Sequence, residues 1–189
     1  MSDSGSASML REAGKYQADE IPPSVAVPRV EPRAAVTKVM LPRRRSDVLS
    51  RPRLIDFLNQ HLDRKLILVC APPGYGKTTV LVDFAHQVAM PVCWFSLTVA
   101  DADPQVFLEY LVLSVRQRFP EFGSRTLGYL QTAGAKDLQG AVGLVLGELQ
   151  NLTPDPMMLV LDDVQNVDES PTIQTLLDLL ISGMPQTCC

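Results

Sequence analysis

The stretch that most restricts this 189-residue chain is Leu66–Ala85, LILVCAPPGYGKTTVLVDFA. Leu66–Cys70 is a continuous apolar run, which suits a strand buried on both faces. From Lys77 to about Val88, the residues Val80, Leu81 and Phe84 fall on one side of a helix. A strand that passes at once into a helix must lay that helix back over its own sheet. The pair therefore commits the chain to mixed α/β layers.

The remaining sequence repeats the alternation. Leu54, Phe57, Leu58 and Leu62 recur at helical spacing over Arg53–Leu62, with Pro52 as a first-turn residue. Val92–Leu97 and Met157–Leu161 are further apolar strands. Pro104–Phe119 reads as a helix with Asp103 as N-cap. Asp137–Leu149 is another, with Leu138, Val142, Val145 and Leu149 in register. Pro171–Ile181 is the last, capped by Ser170 and stopped by Gly183 and Pro185. Strands that alternate with helices pair in parallel, so the expected fold is a three-layer α/β sandwich with a parallel sheet. Residues 1–38 are rich in Ser, Pro, Ala and charge, without period, and Pro22, Pro23, Pro28 and Pro32 interrupt any helix there. They are expected to form a disordered arm, followed by one domain over 39–185 and a tail over 186–189.

The junction APPGYGKTT has the chemistry of a phosphate cradle. A triphosphate is held by backbone N–H groups at the positive end of a helix, where side chains only obstruct the approach. Gly74 and Gly76 remove that obstruction and can take positive φ. Pro72 and Pro73 have no N–H to donate, so the cradle is expected from Gly74, Tyr75, Gly76, Lys77, Thr78 and Thr79. Lys77 can reach the β/γ-phosphates, and the Thr78 hydroxyl can face Mg²⁺. The pattern G-x-x-x-x-G-K-[ST] places a glycine where Ala71 stands; that residue turns the chain rather than contacting phosphate. A metal-holding carboxylate is also required on a neighbouring strand. Asp162, at the end of Met157–Leu161, is the candidate for the metal, with Asp163 to polarise water. Lys77 and Asp163 are thus the expected catalytic residues, and ATP and Mg²⁺ the expected cofactors.

Charge and cysteine usage narrow the partners. Residues 1–53 carry ten Lys/Arg against six Asp/Glu, and residues 54–189 seven against fifteen. An acidic folded part argues against DNA wrapping. The run Arg43-Arg44-Arg45 reads as a solvated loop or a phosphate contact. No apolar run is long enough to span a membrane, and no secretory leader is visible. Cys70, Cys93, Cys188 and Cys189 show no metal spacing; reduced thiols in a cytosolic protein are the simplest reading. A terminal Cys-Cys can also be a prenylation signal, but no base-reading N-K-x-D accompanies it here.

Several blocks together resemble the ATPase domain of MalT-like, LuxR-family transcriptional regulators, which are STAND ATPases. They are RPRL at Arg51–Leu54, RKLILVCAPPGYGKTT at Arg64–Thr79, PVCWFSL at Pro91–Leu97, DADP at Asp101–Pro104 and LVLDDVQNV at Leu159–Val167. The resemblance implies a P-loop NTPase of the ASCE/STAND type acting as an ATP-driven cytoplasmic switch. It also implies Arg51 in the segment beside the adenine. Two departures stand out. Val164 and Gln165 replace the family's aromatic and histidine, leaving Gln165 to hydrogen-bond water or phosphate. The sequence also stops at Cys189, ahead of a strand ending in a sensor arginine and of the DNA-reading domain. By this resemblance the fold is incomplete at its C-terminus. The strand between the P-loop strand and the acidic strand is missing, ATP binding is weakened, and hydrolysis is slow or absent. Partners would be a regulator's other domains or a second copy, with no DNA or membrane bound directly. Two alternatives remain: a non-catalytic interaction fragment, and a small P-loop kinase using Arg116, Arg118 and Arg125.

Overall fold

Two parallel strands form the centre of the molecule. In this computed structural model the described residues are 37–47, 49–133, 136–152 and 156–188, all within one compact unit, Glu31–Cys189. The expected arm lies outside them except for Thr37 and Lys38, and so does Cys189 of the expected tail. Strand β1, Val92–Ser96, pairs in parallel with β2, Met158–Asp162, in the register Val92↔Met158 to Ser96↔Asp162. Six α-helices surround them among the described residues: α1 Pro52–Asn59, α2 Lys77–Ala85, α3 Pro104–Arg116, α4 Ser124–Ala133, α5 Leu138–Gln150 and α6 Pro171–Gly183.

The alternation of side chains along each strand sends them into two cores. Val92, Trp94, Met158 and Val160 pack with Ile55 and Leu58 of α1 and with Val80, Val82 and Phe84 of α2. Cys93 and Phe95 face the opposite way, into a larger core built from α3, α4, α5 and α6, with Phe107, Leu111, Leu130, Val145 and Ile173 fully buried. Helices on both faces of a parallel sheet make the three-layer α/β arrangement.

Helix starts follow the expected chemistry. Asp103 caps α3 by accepting from the N–H groups of Gln105 and Val106, with Pro104 in the first turn. Asp137 accepts from Gly140 N–H and Ser170 from Ile173 N–H at the heads of α5 and α6. The DADP block has a second use. Asp101, fully buried, closes a capping box with Thr98 over the 3-10 turn Val99–Ala102 and pairs with Lys38. The Lys38 ammonium also lies 3.4 Å from the Tyr110 ring centroid, and its carbonyl accepts from Ser96 N–H at 2.8 Å. Lys38 therefore seals the outer edge of β1.

Two elements depart from expectation. Leu66–Cys70 joins no ladder, and it is not buried on both faces: Leu66 is 53% and Leu68 75% exposed. Ile67 and Val69 pack against the α1/α2 core, while Leu66 and Leu68 meet nothing that would bury them. Nor does the segment fill the outer edge of β2. There, among the described residues, only Met157 is paired, by a parallel bridge to Cys188 with Met157 N–H donating to the Thr187 carbonyl at 2.8 Å. A segment without a neighbouring strand gains one covered face and no ladder. The bridge also means that Thr187 and Cys188, expected as tail, meet the sheet. The second departure is α4, which the periodicity did not reveal. Its first turn is held by the Glu148 carboxylate, which accepts from Arg125 N–H and from the buried Thr126 hydroxyl.

Candidate functional site

The phosphate-loop sequence folds as a turn closed on itself. Gly74 and Gly76 both adopt left-handed backbone, with φ of 82° and 79°. An L-residue there would cost about 1–2 kcal/mol. Gly76 is the N-cap of α2 and supplies no side-chain acceptor. The first-turn amides of Lys77, Thr78 and Thr79 therefore have neither a helical partner nor a cap, and face outward with the positive end of the helix. The amide of Tyr75 differs from the expectation: it donates to the Pro72 carbonyl at 3.4 Å and is engaged within the loop. The Lys77 ammonium folds back to donate to the Ala71 carbonyl at 2.8 Å, which explains why that position serves the turn.

The acidic strand ends against this loop. Thr78 Oγ1 donates to Asp162 Oδ1 at 3.0 Å, across 84 residues of sequence. Asp162 is 5% exposed. Its burial raises the pKa above the usual carboxylate value; the Thr78 bond and the Lys77 charge pull it back, and Asp163 pushes it further up. Asp163 follows in left-handed backbone, φ 59°, and accepts from Gln165 Nε2 at 2.9 Å. Gln165 thus holds the Asp163 carboxylate through its side-chain amide. Asn166, which the sequence did not single out, donates to the Leu97 carbonyl at 2.8 Å and ties the turn after β2 to the end of β1.

Two arginines reach the loop from the upstream segment. Arg51 Nη1 donates to the Tyr75 carbonyl at 3.2 Å. Its Nη2 lies 3.7 Å from where a Cβ on Gly76 would stand. Arg44 Nε lies 2.6 Å from Oδ1 of the buried Asp83 on α2, whose Oδ2 accepts from Ser50. That Ser50 bond, with Gln87 and Arg44, holds the Asp83 carboxyl below its usual pKa. Arg45 forks onto Asp47 in solvent. The three-arginine run is therefore divided in its work. Together with Pro42, Thr78, Thr79, Val82 and Asp83 it lines a cavity of about 130 Å³ beside the head of α2. The pairing of Arg44 with Asp83 was not legible in the sequence, because it spans 39 positions and follows no motif.

Two of the three arginines of the kinase alternative are occupied elsewhere. Arg116 donates to the Phe122 carbonyl and Ser124 hydroxyl, and Arg118 to the Val92 carbonyl. Among the described residues, no three His, Cys, Asp or Glu side chains cluster to hold a metal by themselves, and no helix is long and apolar enough to cross a membrane.

Comparison with known proteins gives the family. The AAA domain family profile matches residues 60–187. The chain is 29% identical over 139 residues to the serine/threonine-protein kinase PknK of Mycobacterium tuberculosis (strain ATCC 25618 / H37Rv), covering 72% of this chain and 12% of that protein. It is 25% identical over 150 residues to the HTH-type transcriptional regulator MalT of Klebsiella pneumoniae (strain 342), covering 79% of this chain and 16% of that protein. A MalT of Vibrio cholerae is 32% identical over 81 residues, 43% of this chain and 9% of its own length. The chain thus spans less than a fifth of these relatives, and the likeness to the MalT ATPase region noted in the motifs extends over most of the domain. With two-thirds of its length matched and a phosphate loop set against an acidic strand, this chain belongs to the AAA domain family.

Proposed function

We propose that this domain binds ATP with Mg²⁺ and serves as the nucleotide-sensing switch of a MalT-type regulator. The observation that carries the reading is the 3.0 Å contact between Thr78 Oγ1 and Asp162 Oδ1. Octahedral Mg²⁺ has ligands about 2.0–2.1 Å away, so two adjacent ligand oxygens sit about 3 Å apart. The two oxygens are thus already spaced to share one ion or its water shell. When bound, Mg²⁺ would supply charge neutralisation between the β- and γ-phosphates.

The remaining roles fall to the chain itself. The amides of Gly76, Lys77, Thr78 and Thr79 receive the phosphate oxygens, and Lys77 exchanges the Ala71 carbonyl for a phosphate. Asp163, steadied by Gln165, orients a water. Arg51 stands beside the loop, and the cavity between Pro42–Arg45 and α2 is where we place the base and ribose. Hydrolysis is slow in this reading, because nothing described braces Leu66–Cys70 against β2. The switch would work in the cytoplasm by favouring one domain arrangement when loaded. The β2 edge, bridged among the described residues only at Met157, gives some support to a second reading, a non-catalytic interaction fragment.

Titration with a fluorescent ATP analogue tests the proposal. Lys77→Ala should lower affinity by about 30–140-fold, as expected for a lost charge-assisted bond of about 2–3 kcal/mol. Thr78→Val should abolish the gain in affinity that Mg²⁺ gives. Equal affinity for wild type and Lys77→Ala, or no binding at all, would leave the interaction fragment as the better reading.

A further inference from the structure

We infer that Arg51 is a positioning residue for the phosphate cradle, acting through the Tyr75–Gly76 peptide rather than by touching the base. The inference rests on the phosphate-cradle reading above and adds to it a cause for the loop's geometry.

Three observations converge on this one peptide unit. Arg51 Nη1 donates to the Tyr75 carbonyl at 3.2 Å. Its Nη2 lies over Gly76, 3.7 Å from the position a Cβ would take. Gly76 is left-handed and is the N-cap of α2, with no side chain to hold its own orientation. In a trans peptide the C=O and the following N–H point in opposite directions. A guanidinium that grips the Tyr75 oxygen therefore fixes the direction of the Gly76 N–H as well, turning it away from Arg51 and into the cradle. Without that grip, a glycine-flanked peptide can flip at little steric cost. A flipped unit would present a carbonyl where phosphate needs a donor.

Arg51 is well placed to be a rigid brace. Its own carbonyl accepts from Leu54 N–H at 2.9 Å and from Ile55 N–H at 3.2 Å, so its backbone begins α1. Ile55 is buried in the α1/α2 core. The planar fork of arginine suits this post better than a flexible ammonium. The cationic head also adds to the field at the loop without occupying the cradle.

The test compares ATP with inorganic tripolyphosphate, which has no base, across wild type, Arg51→Ala and Arg51→Lys. The full chain is used, with ¹⁵N-labelled protein for the free state. Arg51→Ala should weaken both ligands by a similar factor, about tenfold, and Arg51→Lys should recover part of the loss. In the free protein, the Gly76 amide resonance should move in Arg51→Ala, while those of Leu54 and Ile55 stay in place, showing that α1 is intact. A loss confined to ATP would overturn the inference and make Arg51 a base contact. Unchanged affinity for both ligands, or an unmoved Gly76 amide, would overturn it too. If Arg51→Ala fails to fold, the Gly76 shift and the two affinities of Arg51→Lys decide by the same criteria. Should wild type bind neither ligand, the cradle reading itself falls and this inference with it; wild type binding both with Arg51→Ala indistinguishable removes the inference alone.

Discussion

The two edges of the small sheet are built differently. At the outer edge of β1, Lys38 closes the sheet with both main chain and side chain: its carbonyl takes the Ser96 N–H, and its ammonium neutralises the buried Asp101 over the Tyr110 ring. At the outer edge of β2, among the described residues, Met157 alone is bridged, and the apolar segment Leu66–Cys70 stays without a ladder. The candidate site lies at the C-terminal end of β2, where Thr78 reaches Asp162 by a side-chain bond. In the proposed reading, the nucleotide would sit away from the edge that Lys38 braces, beside the part of the sheet with fewer partners among the described residues. Loops that must receive a ligand are drawn from the less stable parts of a fold.

Hydrogen exchange should show the contrast most strongly. The amides of Ser96 and Leu97, bonded to Lys38 and Asp162, should exchange slowly. Those of Leu159 and Leu161, which alternate toward the open edge, should exchange faster by on the order of 10³-fold, about 4 kcal/mol at 1.4 kcal/mol per decade. Equal protection of the two edges would end the comparison.

Lys38→Met asks how much the closed edge contributes. It leaves a buried carboxylate without its counter-charge, which costs about 3 kcal/mol or more. Denaturant unfolding should show that loss, with nucleotide affinity per folded molecule unchanged. A cost below about 1 kcal/mol would mean that the Thr98 donors alone satisfy Asp101.

The smallest effect is the pH response of the open edge. Asp162 has its pKa raised chiefly by burial, so folding disfavours its ionised form. Its favourable contribution to stability is complete below the unfolded carboxylate value and fades as pH rises through the raised folded value. Asp83, lowered first by its Ser50 bond, runs the other way: its contribution is present above the unfolded value and lost as pH falls through the folded one. Asp162→Asn should remove the first trend and leave the second, as read by melting temperature between pH 3 and 7. Mg²⁺-dependent ATP affinity in wild type should fall as pH drops through the raised Asp162 value.

The sequence was most legible where a local rule governs. Asp103 and Ser170 announced two helix starts, and Gly74 and Gly76 announced the left-handed turn of the loop. The alternation of apolar segments was enough for the α/β layers. Features that depend on distant partners were hidden. Leu66–Cys70 has the composition of a strand, but a ladder requires a neighbour, and composition cannot report one. Helix α4 depends on Glu148, over twenty residues away. Lys38 sits at the end of a stretch without period, yet its partners are Asp101 and Tyr110. Arg44 and Asp83 likewise meet only through the fold.

The sulfur atoms divide along similar lines. Cys93 is wholly enclosed beneath the sheet, and desolvation pushes its thiol up to about 12, so it stays protonated and unreactive at neutral pH. Cys70 is exposed at the mouth of the phosphate loop. In a Cys189→Ser background, a maleimide dye should therefore choose Cys70 over Cys93 and the buried Cys188, giving the molecule a native attachment point for watching the loop fill and empty.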